Sequence, residues 1–459
     1  MVAKARVWAI LLALGLVASA CTGAGTGGGA DPGGDAAEGE AGVTTITIAA
    51  VNNPQMQDMQ ELTDHFHDTH PNVRVEWVVL PENQLRDRVT QDVATRGGQF
   101  DVMTIGTYET PIWAENGWLT NLAENTADDD EYDVEDIIEP IRDALSYEGE
   151  LYAVPFYGES SFLMYRTDLF DQAGLEMPER PTWDQVAEFA RQLHDPANDV
   201  YGICLRGLPG WGEVFAPLNT VVNTFGGRWY DMEWNAQLTE EPFVEAVEFY
   251  VNLIREAGQP GAANSGFTEC LTTYGQGNAA MWYDATSAAG SVENPEASTV
   301  VGKTGYVFAP VRETEAAGWL WAWALAMPET SQKKEAAWEF MRWATSKEYI
   351  QLVGEELGWE RVPPGSREST YEIPEYQEAA AAFADVTLAA ISEADVEDPG
   401  TQERPYVGVQ YVSIPEFQDL GTRVSQEIAA AIAGRQSVQE ALEKGQRMAE
   451  DVAEQGGYR

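Results

Sequence analysis

Basic residues are scarce in this 459-residue chain: 27 lysines and arginines stand against 75 aspartates and glutamates, a formal net charge of −48 at pH 7. So acidic a surface repels phosphate backbones and anionic lipid, which excludes nucleic acid and an anionic membrane face as partners. The acid is dispersed, with one concentration at "ADDDEYDVEDIIE", and reads as a solubilising coat suited to a salty medium. Cysteine numbers three and histidine four, with no CxxC, no HExxH and no histidine cluster, so neither a zinc site nor another metal or cofactor is expected. His65, His67 and His70 fall on and just past one helix, where surface and packing roles suffice. A G-x-S-x-G elbow, a P-loop and a dinucleotide fingerprint are all missing. Acidic pairs abound, so composition alone leaves a two-carboxylate glycosidase open. Beyond the N-terminal segment there is neither a membrane-spanning apolar run nor a repeat.

What is present begins with "MVAKARVWAILLALGLVASAC", where Lys4 and Arg6 precede an apolar run and small residues. That pattern is a bacterial signal peptide over 1–20 rather than a membrane span. "ASAC" resembles a lipobox, with Cys21 the residue to be acylated, although Ala18 stands where Leu is commonest; a plain cleaved signal peptide is the alternative. Residues 21–43 are Gly- and acid-rich and form a flexible tether. Folding therefore starts near Thr44, outside the cytoplasm. Cys204 and Cys270 remain, either joined in a disulfide, which an oxidising compartment permits, or as two buried thiols.

The chain is too long for one ordinary core, so two lobes are expected. "TTITIAAVN", "VRVEWVVL" and "FDVMTIG" read as strands. "QMQDMQELTDHFHDTHP", ended by Pro71, and "ENQLRDRVTQDVATRGG" between them read as helices, which predicts right-handed crossovers and a mostly parallel sheet. "RPTWDQVAEFARQLHD", opened by Thr182, and "EPFVEAVEFYVNLIREAG" are further helices, and the last 45 residues are helical and Ala-rich. "GWLWAWALAMPE" places Trp319, Trp321 and Trp323 on alternate positions, hence on one face of a strand. Such a face is core, or the floor of a site for a ligand with weakly polar faces.

Read together, "GQFDVMTIGTYETPIWAENGWLTNL", "GELYAVPFYGESSFLMYRTDLFDQAGL" and "AAAIAGRQSVQEALEKGQ" resemble the extracellular solute-binding proteins of bacterial ABC importers. The likeness runs from Thr44 to about Glu454, within the carbohydrate-binding family that includes maltose-binding protein. "YGICLRGLPGWGE", "NTFGGRWYDMEW", "AAMWYDATSAAG", "WLWAWALAMP" and "PYVGVQYVSIPEF" are similar to its sorbitol/mannitol-binding branch. The resemblance implies a two-lobed α/β periplasmic-binding fold, each lobe a mostly parallel sheet flanked by helices, joined by interlobe crossings. Lobe one would comprise 44–156 and 313–358, lobe two 157–312, with the helical segment 359–459 mainly on lobe two. It implies a monomer that is not an enzyme and that hands a polyol or sugar to ABC permease subunits driven by a cytoplasmic ATPase. A binding protein for amino acids or oligopeptides is the rival within this class.

Hydroxylated ligands need carboxylates, amides and arginine for their hydroxyls and aromatic faces for their C–H surface. The expected contacts are Asn52, Asn53 and Gln55 after the first strand and Thr107, Tyr108 and Glu109 after the third, since ligands gather at strand C-terminal ends. Glu159 at the first crossing joins them. From the second lobe come Arg206, Trp211 and Glu213 on a Gly/Pro loop, and Trp282 and Asp284 at a strand end. Arg361 resembles the third crossing, and Gln410 and Tyr411 are weaker candidates. Trp319 and Trp321 are placed near the ligand and Trp323 in the core.

Overall fold

The computed structural model describes residues 42–459 except 128, 315 and 316. The expected signal peptide, Cys21 and all but the last two residues of the expected tether therefore lie outside the described residues. The first strand, β1 (Thr44–Val51), starts exposed and becomes buried on both faces, as a strand of a parallel pairing covered on both sides of the sheet does. Asn53 then caps α1 (Pro54–Glu61), its side chain accepting from the Met56 N–H at 2.9 Å, with proline in the first turn. The single helix expected as far as Pro71 is instead broken at Leu62, and α2 (Thr63–Thr69) follows. At the break the Thr63 hydroxyl donates to the Met59 carbonyl at 2.9 Å, a local bond that competes with regular helix. Next come β2 (Val73–Leu80), α3 (Glu82–Thr95) and β3 (Val102–Gly106), with β1 parallel to both β2 and β3.

A fourth strand, β4 (Ala153–Glu159), runs through Ser160 straight into β5 (Ser161–Arg166), which belongs to a second sheet. There β5 lies between β6 (Met281–Ala285) and β7 (Thr304–Phe308), antiparallel to both. The chain returns to the first sheet as β8 (Trp321–Ala326), between β3 and β4 and antiparallel to each. The expectation of a mostly parallel sheet in each lobe is thus corrected. Its physical reason is the crossings: a strand that arrives from the other sheet enters at the cleft end and runs away from it. Strands whose C-terminal ends point at the cleft must then run against it. Parallel pairing survives in β1–β3 and in isolated bridges such as Cys204 with Trp282.

Around the second sheet, α4 (Trp183–Leu193) opens on a capping box between Thr182 and Gln185, and α5 (Phe215–Thr224) is buried along its whole length. The next helix, α6 (Phe267–Gly275), carries Cys270, which forms a disulfide with Cys204 at a Cα–Cα distance of 5.7 Å. Near the C-terminus α7 (Phe417–Ile432) and α8 (Val438–Gln455) pack as a pair, α8 opened by a Ser437–Glu440 capping box. The stretch before α7 reaches the first sheet, where the Tyr108 hydroxyl donates to the Ile414 carbonyl at 3.0 Å. Among the described residues no helix is long and apolar enough to cross a membrane.

The disulfide spans 66 residues of sequence, and closing such a loop in the unfolded chain stabilises the fold by about 4 kcal/mol on the chain-entropy account. Replacing both cysteines with alanine is expected to lower the unfolding free energy by about that amount in urea titration. A loss under about 1 kcal/mol would show that the unfolded chain gains little freedom from the cut.

Candidate functional site

Strand ends from both sheets converge on a cavity of about 260 Å³. This lies below the roughly 300–1,000 Å³ that drug-sized ligands occupy, which suits a small solute. The floor is built by register. Trp321 lies opposite Glu159 and Trp323 opposite Tyr157 across the β8–β4 pair, so all four share one face, and all four line the cavity. Gly106, opposite Trp323 on the other flank, keeps that face low: a Cβ there would stand 2.0 Å from the Trp321 ring. Trp319, just before β8, completes the row and donates its indole N–H to Glu159 at 3.3 Å.

Two buried guanidiniums organise the walls. Arg86 projects from the buried face of α3, with Glu82 one turn earlier accepting from it at 3.0 Å and Glu109 accepting on its other side. Its guanidinium lies 4.2 Å from the Trp211 ring centroid, 4.9 Å from Trp321 and 4.7 Å from Trp323. Arg206, from the loop of the second lobe, is held on two nitrogens by Asp284 and donates to the Gly212 carbonyl at 3.0 Å. Burial opposes its charge, but Asp284 and then Glu213 outweigh that and hold its pKa above the ordinary value. Gly212 is also where the lobes touch, since a Cβ there would stand 1.9 Å from Glu82 Oε1.

Asp284 is fully committed. It accepts from Arg206 Nε and Nη2, from the Trp282 indole at 3.0 Å and from the Ala285 N–H at 2.7 Å, leaving no lone pair for a ligand hydroxyl. Glu159 is the opposite case: its partners are the Ser287 hydroxyl and the Trp319 indole. Burial pushes its carboxyl up to about 8, against the lowering effect of Ser287 and Arg206. Burial also raises Glu213, helped by the facing Glu82 and opposed by Arg206 at 3.6 Å. Two further polar atoms on the wall, Trp211 Nε1 and Gln410 Oε1, are buried and find no hydrogen-bond partner among the described residues.

Of the expected contacts, Asn52, Asn53, Glu159, Arg206, Trp211, Glu213, Trp319 and Trp321 stand at the cavity wall, as does the weaker candidate Gln410. Seven do not. Thr107 and Tyr108 are turned to the C-terminal segment, Thr107 accepting from Tyr411 at 3.3 Å. Glu109 is buried beneath Arg86, and Asp284 and Trp282 lie behind Arg206 with no exposed surface. Gln55, which donates to the Ser287 carbonyl at 3.1 Å, and Arg361, paired with Asp58, line a neighbouring cavity instead. Trp323, expected in the core, reaches the wall. Sequence reasoning missed Arg86, Glu82, Tyr157, Ser287 and Phe267. The Glu82–Arg86 spacing on an amphipathic helix was the one available signal, and it marks ordinary solvent-facing pairs as often.

A profile of the family described as bacterial extracellular solute-binding proteins matches residues 49–351, and the chain belongs to that family, which places it outside the cytoplasm and among binding proteins rather than enzymes. The chain is 46% identical over 418 residues to the mannitol-binding protein of Pseudomonas aeruginosa, covering 91% of this chain and 95% of that one. An ABC transporter solute-binding protein from Agrobacterium vitis S4, solved with bound D-mannitol, superposes with a TM-score of 0.88 at 49% identity, over 90% of this chain and 99% of the other. A solute-binding protein from Agrobacterium radiobacter K84 in complex with ribitol gives 0.79 at 25% identity, over 90% and 99%.

Removing one partner of a buried, fully hydrogen-bonded ion pair strands the other charge at a cost of about 3–5 kcal/mol. Asp284→Asn is accordingly expected to lose that much stability in urea titration at pH 7, while Glu269→Gln at the exposed rim loses less than about 1 kcal/mol. Equal losses for the two variants would refute the structural role given to Asp284.

Proposed function

We propose that the protein captures a linear polyol of the mannitol class and delivers it to the transmembrane subunits of an ABC importer driven by a cytoplasmic ATPase. The observation that carries this reading is the 46% and 49% identity to two mannitol-associated relatives across about nine-tenths of the chain. The cavity chemistry supports it independently. A linear polyol presents hydroxyls that both donate and accept along a chain with C–H faces. Glu159, Glu213 and Gln410 offer acceptors, Trp211 Nε1 and Asn53 offer donors, and the indoles of Trp319, Trp321 and Trp323 offer apolar faces. The wall draws on both sheets, so a ligand that fills it favours the closed arrangement and excludes water from its own hydrogen bonds. We further infer that Cys21 is acylated and that residues 22–43 tether a monomeric binding unit to the outer face of the cell membrane.

Titration calorimetry of the protein produced without its first 42 residues, stripped of carried-over ligand by unfolding and refolding, tests the reading. Mannitol, sorbitol, arabitol and ribitol are expected to give one-to-one heat, and glucose, maltose and single amino acids at least a hundredfold weaker binding. Heat from maltose alone would keep the family and sink the polyol. Glu159→Ala is expected to weaken mannitol by about 1.5–3 kcal/mol, the worth of hydrogen bonds to a charged group.

The raised Glu159 carboxyl sets a pH signature. In the unfolded chain it ionises near 4.5, in the empty fold near 8, so between these values the native state holds the extra proton and stability falls as pH rises. Ligand hydroxyls donating to Glu159 favour its anion, so polyol binding at pH 7 is expected to release a proton, read from calorimetry in buffers of different ionisation enthalpy. Glu159→Gln should reduce the release, the raised Glu213 carboxyl supplying what is left; a release unchanged in that variant would assign the proton elsewhere. For the anchor, Cys21→Ala is expected to move the protein from the membrane fraction into the soluble one.

A further inference from the structure

The cavity is crowded with acidic side chains. Glu82, Glu159 and Glu213 line it, Glu269 stands at its rim, and Glu109 and Asp284 lie directly behind its two arginines. Six acidic side chains therefore surround two guanidiniums, and both guanidiniums are already engaged. Arg86 is taken by Glu82 and Glu109, Arg206 by Asp284 and the Gly212 carbonyl. No free guanidinium fork faces the ligand, so a bound carboxylate or phosphate would meet carboxylates without its usual partner. Glu159 is the one buried member of the group that is not in ion-pair contact with either arginine; it accepts from the Ser287 hydroxyl and the Trp319 indole. Beside it lie the indole rings of Trp319 and Trp321, whose faces attract a cation and repel an anion.

We propose that this site selects its polyol by charge, accepting an alditol that carries a protonated amine at one end, seated at Glu159 against the indoles, and rejecting the corresponding aldonic acid or phosphate ester. The inference rests on the polyol reading above and extends it to a ligand class, the aminodeoxyalditols. An ammonium donates three hydrogen bonds where a hydroxyl donates one, and it neutralises a carboxylate that otherwise keeps a proton in the buried site. An aldonic acid instead brings a carboxylate among six acidic side chains, with no unpaired guanidinium to receive it. Closure strengthens the discrimination, because charges interact more strongly once water has left.

The test is calorimetry at pH 7 in 0.15 M salt with three ligands of one carbon skeleton: D-mannitol, 1-amino-1-deoxy-D-mannitol and D-mannonate. The amine is expected to bind at least tenfold more tightly than the acid. A smaller ratio, or a reversed one, with mannitol still binding overturns the charge selection and leaves the polyol reading standing. No heat from any of the three sinks the polyol reading and this inference with it. Glu159→Gln is then expected to lower the amine-to-acid ratio at least threefold, and an unchanged ratio would remove the amine from Glu159. The wild-type ratio decides the proposal by itself, so a poorly folding variant does not shelter it.

Discussion

The guanidinium of Arg86 is the constraint around which the site is arranged. A buried charge costs several kcal/mol unless it is paired and its donors are filled. Arg86 is paired twice, by Glu82 on its own helix and Glu109 beneath β3, and is enclosed by three indoles from two different segments. Cation–π contact in so dry a place is worth about 2 kcal/mol or more. Satisfying this one side chain dictates much else. Gly106 must lack a side chain so that Trp321 can lie against the strand, and Gly212 must lack one so that Glu82 can approach from the other lobe. The row of alternating tryptophans is thus neither plain core nor plain platform. One edge grips the arginine, and the faces that remain border the cavity.

The polar groups divide into those consumed by the fold and those left over. Asp284 accepts four hydrogen bonds and shows no surface, which makes it a clamp for Arg206. Glu109 does the same for Arg86, with the Gly106 N–H at 2.9 Å on its other oxygen. Because these clamps are complete without ligand, the side chains that face the cavity are held before anything binds, and little ordering is left for the moment of capture. What stays available is a short set: Glu159, Glu213, the indole N–H of Trp211 and the amide oxygen of Gln410. These are the polar groups that the fold leaves for a ligand.

Much of the architecture was legible because it is local. Alternation in "TTITIAAVN" and the Thr182 cap each announce an element within a few residues, and β1 and α4 start where those signals lie. What escaped is long-range. The antiparallel second sheet follows from which way the chain enters after a crossing, and no single strand sequence carries that direction. Arg361 looked like a ligand contact because its region does, yet it is paired with Asp58, 303 residues away. Tyr108 follows a strand end as a site residue should, but residues 414–418 return to occupy it first. Arg86 was hidden for the converse reason. A helix-borne Glu–Arg pair is ordinary on a surface, and only the packing of Trp321 and Trp323 from β8 and of Trp211 from the second lobe makes it internal.

Ser287 ties the two sheets together at the cavity wall. It follows β6, in the second lobe, yet it is held by two groups of the first: its hydroxyl donates to Glu159 at the end of β4, and its carbonyl accepts from Gln55 on α1. A hydroxylated ligand that engages Glu159 therefore acts on a carboxylate already bonded across the cleft, and the same bonds that recognise the solute draw the two sheets together. Asn83 reaches the Pro209 carbonyl at 2.9 Å and Thr90 reaches Gln418 at 3.0 Å, adding weaker ties farther along α3. Each is worth only about 1 kcal/mol in the open, and less at a solvated rim. The ties around Glu159 lie where water is excluded once the cleft is filled, and there a hydrogen bond is stronger and a missing one dearer. With the cavity unfilled, Trp211 Nε1 and Gln410 Oε1 are buried without partners, and a solute whose hydroxyls reached them would favour the closed form by the free energy of satisfying them.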